Sequence, residues 1–255
     1  MAAARPARQT PAASRMAFRL ARALAWTRRK AQKLSHRNAL LRLGSFGFAP
    51  AVVYDIGAYR GGWTQVAAEV FPDAQFVLFE ANRDHAGELA ASGRRHLIAA
   101  LGASDGGTRA FHVPRAGDVT GASLYVESTA HYAAANLEVR EVETVRLDTL
   151  VARERLPAPD LIKIDVQGAE LDVLAGAAET LRGAAALIVE VSFVDYNKGG
   201  PLAAQVIAAI DRLGFRCADL CEVHRGAHDV VLQLDLLFAR PALFAKYGAA
   251  AGVVP

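Results

Sequence analysis

Residues 161–176 read Leu-Ile-Lys-Ile-Asp-Val-Gln-Gly-Ala-Glu-Leu-Asp-Val-Leu-Ala-Gly, and the reading of this stretch decides the fold. A short apolar run, Leu161–Asp165, ends on an aspartate; a tight Gln167-Gly168 turn follows, and then an acidic helix start. This order sets Asp165 at the carboxyl end of a buried strand, where an open α/β sheet places its ligands. The same strand–turn–helix order occurs about a hundred residues earlier, in Val52-Val-Tyr-Asp-Ile-Gly-Ala-Tyr-Arg-Gly-Gly-Trp-Thr64. Two such strand ends on one sheet point to an enzyme that binds a cofactor at one and does chemistry at the other.

Outward from these two units the chain keeps alternating. Apolar runs at Gln75–Phe79, Leu97–Leu101 and Ala186–Val191 read as further strands. They are continuous rather than alternating, as expected for strands buried on both faces. Between the strands, apolar residues recur at helical spacing: Trp63, Val66, Ala67 and Val70, then Leu171, Leu174, Ala178 and Leu181, then Leu202, Val206, Ile210 and Leu213. The expected fold class is therefore α/β, a Rossmann-like and mostly parallel sheet of right-handed βαβ units. Phe215–Leu220 and Val230–Phe238 read as an antiparallel hairpin closing it. Residues 103–149 break the alternation with strand-like pieces at Arg109–Val113 and Val139–Leu147; an excursion of this length is expected to contribute to the acceptor site.

Charge divides the chain. Residues 1–54 hold eleven Lys and Arg and no acid, whereas the remainder holds eighteen basic and twenty-six acidic residues. The expected organisation is a basic N-terminal extension over 1–50, a catalytic body over 51–240 and a tail over 241–255. Residues 1–14, with two prolines and several small residues, read as disordered. Residues 15–34 can form an amphipathic helix with Arg15, Arg19, Arg22, Arg29, Lys30 and Lys33 on one side. Such a helix can lodge on an anionic membrane surface, or pack on the body with its charges in water. No apolar run approaches the length of a membrane span, and two cysteines make no disulfide framework. A cytoplasmic protein is expected, with peripheral membrane association through residues 15–34 as an option.

The first glycine turn, Asp55-Ile-Gly57-Ala-Tyr-Arg-Gly61, lets the backbone turn sharply and approach a ligand closely. It is not Gly-x-Gly-x-x-Gly, and an acid leads it. Asp55 suits a cofactor with an ammonium group and no phosphate, such as S-adenosylmethionine. Glu80 ends the second strand, where a carboxylate can accept both hydroxyl protons of an adenosine ribose. Ser104 and Asp105 follow the third strand and are placed to meet the adenine edge, although Ser-Asp-Gly is also an ordinary turn.

The segments Asp55-Ile-Gly-Ala-x-x-Gly, Phe79-Glu80, Ala103-Ser-Asp-Gly, Leu147-Asp-Thr-Leu150, Leu161–Glu170 and Asp235-Leu-Leu-Phe238 resemble the FkbM family of S-adenosylmethionine-dependent methyltransferases. The resemblance covers about residues 50–240 and is most specific from Lys163 to Glu170. Where the family commonly has Glu-Pro after the second strand, this chain has Glu80-Ala81. The resemblance implies a class I, seven-stranded sheet and methylation of a hydroxyl, often on a sugar, glycolipid or polyketide. Nucleic-acid or N-methylation, and an inactive fold that binds membrane or RNA, are the alternatives; the intact Asp55, Glu80 and Asp165 speak against the last, and a nucleic-acid partner is not favoured.

Methyl transfer to a hydroxyl needs alignment and a group to take the proton. Asp165 is the first candidate base. Lys163, on the same strand face, would polarise the acceptor or hold Asp165 ionised, and Glu190, ending the next strand, is the alternative base. Lys163 and Glu190 can equally be read as a buried ion pair. Glu170 suits a helix N-terminus. No metal is expected. Cys217, Cys221, His224 and His228 contain zinc-type ligands, but the segment reads as a strand and its turn, so two core thiols and two turn histidines are favoured. His85, His112 and His131 are isolated.

Overall fold

A computed structural model describes residues 34–115, 121–128 and 136–252. The expectations for 1–14 and for the helix over 15–34 fall outside the described residues, Leu34 apart, as does His131. Ser35–Pro255 form one compact unit.

Seven strands make the main sheet: β1 (Val52–Ile56), β2 (Gln75–Glu80), β3 (Arg95–Ile98), β7 (Leu161–Ile164), β8 (Ala186–Ser192), β9 (Arg216–Arg225) and β10 (Val231–Ala239). Their order is β3-β2-β1-β7-β8-β10-β9. All neighbours are parallel except β10, which runs antiparallel to both β8 and β9. Each residue of β1 and β7 is buried, as their continuous apolar runs require. The order of elements reverses direction beside β1 and β7, so the crevice for a ligand opens at their carboxyl ends.

The two faces of the sheet pack against different helices. Tyr54, Ile162, Leu187 and Val189 meet α4 (Leu147–Glu154), α5 (Glu170–Gly176) and α7 (Ala203–Arg212). Val53, Leu161, Ile188 and Leu237 meet α1 (His36–Ser45), α2 (Gly62–Val70) and α8 (Pro241–Ala250). On this second face the alternation that continues from Val53, Leu161 and Ile188 delivers Asp55, Lys163 and Glu190, and Asp235 lies directly across from Glu190. Strands that are apolar at one end thus become a row of charged groups at the other.

Several boundaries differ from expectation. The run Leu97–Leu101 is not one strand. Ile98 pairs with Glu80, the last residue of β2, and the chain then leaves the main sheet. β4 (Ala100–Leu101) joins a small second sheet with β5 (Gly107–Pro114) and β6 (Leu137–Val145). Leu147 opens α4 rather than ending a strand. The helix expected through Leu181 splits into α5 and α6 (Thr180–Gly183). Asp148 causes the restart: its carboxylate accepts from the Glu179 and Thr180 amides and from the Thr180 hydroxyl at 2.7–3.0 Å. Residues 36–45 and 241–250, assigned from sequence to an extension and a tail, are helices of the body.

Candidate active site

The glycine turn after β1 is set by a backbone collision. Gly57 has φ +76°, and a Cβ there would lie 1.7 Å from the carbonyl oxygen of Asp165. Only glycine lets the β1 and β7 turns meet this closely. The Gly57 and Ala58 amides both donate to the Phe79 carbonyl, at 2.9 and 3.0 Å, which ties the turn to β2. Gly61, with φ +79°, caps α2. It serves the turn and, unlike Gly57, is not among the lining residues of the cleft.

That cleft has a volume of about 750 Å³ and opens over the carboxyl ends of the strands. Glu80 forms one end of it. Its two carboxylate oxygens accept the Tyr59 and Asn82 amides, each at 2.7 Å. The carboxylate is thereby held in one orientation, with the remaining lone pairs free for ligand hydroxyls. Burial pushes its pKa up, against the two amide hydrogen bonds, which favour the charged form. Gly57, Ala58, Tyr59 and Ala99–Leu101 line the space beside it.

Asp55 is not in this wall. It is fully buried beneath the cleft, with Oδ2 accepting from the Thr64 hydroxyl at 2.6 Å and Oδ1 3.7 Å from the Lys163 ammonium. Its expected contact with a cofactor ammonium is corrected to a supporting role: it anchors α2 and Lys163. Ser104 and Asp105 are also corrected. Both are exposed and neither lines the cleft. Asp105 instead caps α4, accepting from the Arg146 amide and the Thr149 hydroxyl, each at 2.8 Å. Backbone and apolar side chains of Ala99–Leu101 occupy the place expected for them.

Beyond Glu80 the cleft runs past Asp165, Lys163 and Glu190, which the structure brings together. Lys163 Nζ lies 3.0 Å from Asp165 Oδ2. Burial alone would lower the lysine pKa, but the carboxylates of Asp165 and Asp55 outweigh it and hold it raised and charged. Gln167 joins the two candidate bases: its Nε2 donates to Asp165 Oδ1 at 2.9 Å and to Glu190 Oε1 at 2.7 Å. The residue takes φ +54°, a conformation uncommon outside glycine, which sets its side chain across the strand ends. Gln233 Nε2 reaches the same Glu190 oxygen at 2.7 Å. Burial, followed by the charges of Asp165 and Asp235, pushes the Glu190 pKa well above the ordinary value. Glu190 thus holds a proton more tightly than an ordinary carboxyl does.

The far end was not foreseen. His224 lies on β9 rather than in the turn, and its Nε2 is 2.8 Å from Oδ2 of buried Asp235. His36, from α1, approaches the same oxygen at 3.5 Å, and its Nδ1 accepts from the Trp63 indole at 3.1 Å. His36–Glu222–Asp235 and Glu190–His224–Asp235 each bring three donor atoms within 4.8 Å. Indole is only a donor, so Nδ1 of neutral His36 is an acceptor and its Nε2 carries the proton. Both imidazoles face Asp235 as hydrogen-bond donors, and these groups are explained without a metal. Cys217 is exposed and Cys221 buried, so only one is a core thiol; His228 sits in the turn with φ +55°. Ser123, Glu127 and Phe111 of the 103–149 segment also line the cleft, and the Ser123 hydroxyl donates to the Gln167 carbonyl at 2.7 Å. The alternation Glu222, His224 across from Gln233, Asp235 was the available signal for this end.

A family model described as the methyltransferase FkbM domain matches residues 55–217. No curated protein matches the chain. Among solved structures, the N-methyltransferase NodS from Bradyrhizobium japonicum WM9 is similar, with 15% identity, a TM-score of 0.45, and 81% of this chain and 86% of that chain covered. The precorrin-6y C5,15-methyltransferase from Geobacter metallireducens GS-15 is 12% identical, with a TM-score of 0.43 over 82% of this chain and 91% of its own. A Burkholderia thailandensis 1,6-didemethyltoxoflavin-N1-methyltransferase is 13% identical, with a TM-score of 0.42 over 94% and 93%. These likenesses are too distant to bear on acceptor or mechanism.

Proposed function

Since this chain belongs to the FkbM-domain methyltransferases and is an S-adenosylmethionine-dependent enzyme, we propose that it methylates a hydroxyl of a polyhydroxylated acceptor such as a glycan or glycolipid. The carrying observation is the lining of the cleft beyond the Glu80 end. Glu127, Asp165, Glu190, Glu222 and Asp235 stand there against Lys163 and Arg225. Carboxylates and the amides of Gln167 and Gln233 are partners for hydroxyl groups, whereas a phosphodiester chain would be repelled. The same argument weighs against a nucleic-acid acceptor.

The residues fit the cofactor. Glu80 presents an oriented carboxylate for ribose hydroxyls, and the Gly57–Tyr59 backbone bounds the adjoining space. When bound, the cofactor supplies a methyl group activated by a sulfonium. Lys163 holds Asp165 in place from below while Gln167 holds it from the side. Asp165 then orients an acceptor hydroxyl by accepting from it. Glu190, whose Oε1 accepts from Gln167 and Gln233, lines the cleft beside it.

The test is transfer from tritium-labelled S-adenosylmethionine to a panel of hydroxylated sugars, glycolipids, phenols and amines. Methyl ethers on sugar or glycolipid hydroxyls are expected. Methylated amines with no ether product would overturn the hydroxyl reading.

A further inference from the structure

We propose that His224, backed by Asp235, takes the proton of the acceptor hydroxyl, so that the general base stands on β9 rather than on β7. This rests on the hydroxyl reading above. The other candidate bases are each already engaged by N–H donors. Both oxygens of Asp165 already accept, from Lys163 and from Gln167. Glu190 is buried, and one of its oxygens takes two amide donors.

His224 is arranged differently. Its side chain lines the cleft and is 40% exposed, while that of Asp235 behind it is 4% exposed. The Trp63 indole fixes neutral His36 with its proton on Nε2, directed at Asp235. Asp235 therefore receives N–H groups from two imidazoles. Burial would raise its pKa, but the hydrogen bonds from His224 and His36 hold it low, as a carboxylate. A carboxylate cannot donate, so the 2.8 Å contact puts the His224 proton on Nε2 and leaves the lone pair on Nδ1. That atom has no partner among the described residues and is not buried. A buried carboxylate that fixes the tautomer and supports the resulting imidazolium is the arrangement a histidine base needs.

The balance is simple. The hydroxyl O–H bond breaks and an N–H bond forms at Nδ1. The electron pair left on oxygen bonds the methyl carbon as the carbon–sulfur bond breaks and its pair returns to sulfur. The imidazolium then passes its proton to water. The groups facing His224 are Asp235 on β10, Glu222 on β9, Glu190 on β8, His36 on α1, and Asp165 with Lys163 from β7. Carboxylates dominate, with the Asp235 hydrogen bond first, and raise the His224 pKa.

The experiment has two readouts on the full chain. In protein carrying ¹⁵N-labelled histidine and saturated with S-adenosylhomocysteine, His224 is expected as the Nε2–H tautomer with a bare Nδ1. Its pKa should fall in Asp235→Asn, by about one unit. A protonated Nδ1 in the neutral form, or a pKa indifferent to Asp235→Asn, overturns the proposal whatever the acceptor. With a hydroxyl acceptor from the panel, His224→Gln should slow single-turnover transfer by about 10²–10⁴-fold. It should also remove the rise of rate with pH through the measured His224 pKa, while S-adenosylhomocysteine affinity stays within about twofold. Retained rate on a hydroxyl acceptor sinks the base assignment alone; amine products alone sink the hydroxyl reading.

Discussion

At the scale of single residues, burial and hydrogen bonding decide what each carboxylate does. Glu170 opens α5 as expected of an acid at a helix N-terminus, but it is buried and accepts the Gly168 amide at 3.0 Å. Burial pushes its pKa from 4.5 up to about 7. The folded state thus holds a proton that the unfolded chain releases. Its stabilising contribution is complete below pH 4.5 and is lost as the pH rises through 7. Glu170→Gln keeps an oxygen for Gly168 and removes this titration. Compared by urea unfolding at pH 4.5 and 8, the variant should gain on the order of 3 kcal/mol relative to the wild type across that interval; parallel pH dependence would show that Glu170 is not so perturbed. The place of Glu80 was legible because an apolar run sets the strand end on which it sits. Asp105 was misread because its partners, Arg146 and Thr149, lie about forty positions away, around the start of a helix whose first residue reads locally as the end of a strand.

At the scale of elements, apolar runs were read with small errors at their ends, since five or six buried residues in sequence leave few options. Errors arose where a neighbour intervenes: β2 ends and releases β4, and Asp148 breaks the helix into α5 and α6. The helix α1 was hidden inside a basic segment. Ser35 caps it, with Oγ accepting the Asn38 amide, and Ala39, Leu40 and Leu43 are buried against the sheet. Its role is to carry His36 to the cleft. Leu40→Ala should lower unfolding free energy by about 2–5 kcal/mol, as a buried leucine truncation does. A cost below about 1 kcal/mol in urea melts would show that α1 is not an integral part of the core.

At the scale of the whole molecule, one face of the sheet holds both ends of the site. The Glu80 end is built from β1, β2 and their turns, which are close in sequence, so its strands and turns were legible although Asp55, Gly61, Ser104 and Asp105 do not line it. The far end gathers β8, β9, β10 and α1, whose residues span positions 36 to 235, and no local spacing reports that gathering. Among the described residues no helix is long and apolar enough to cross a membrane. The central claim is that the chain binds S-adenosylmethionine with Glu80 as the ribose anchor and Asp105 outside the site. Calorimetry with S-adenosylhomocysteine on the wild type, Glu80→Ala and Asp105→Ala tests it directly. Binding at one site, weakened by about 1–3 kcal/mol in Glu80→Ala and unchanged in Asp105→Ala, is the predicted result. Absent binding in the wild type, or a loss that follows Asp105 and spares Glu80, would contradict the account.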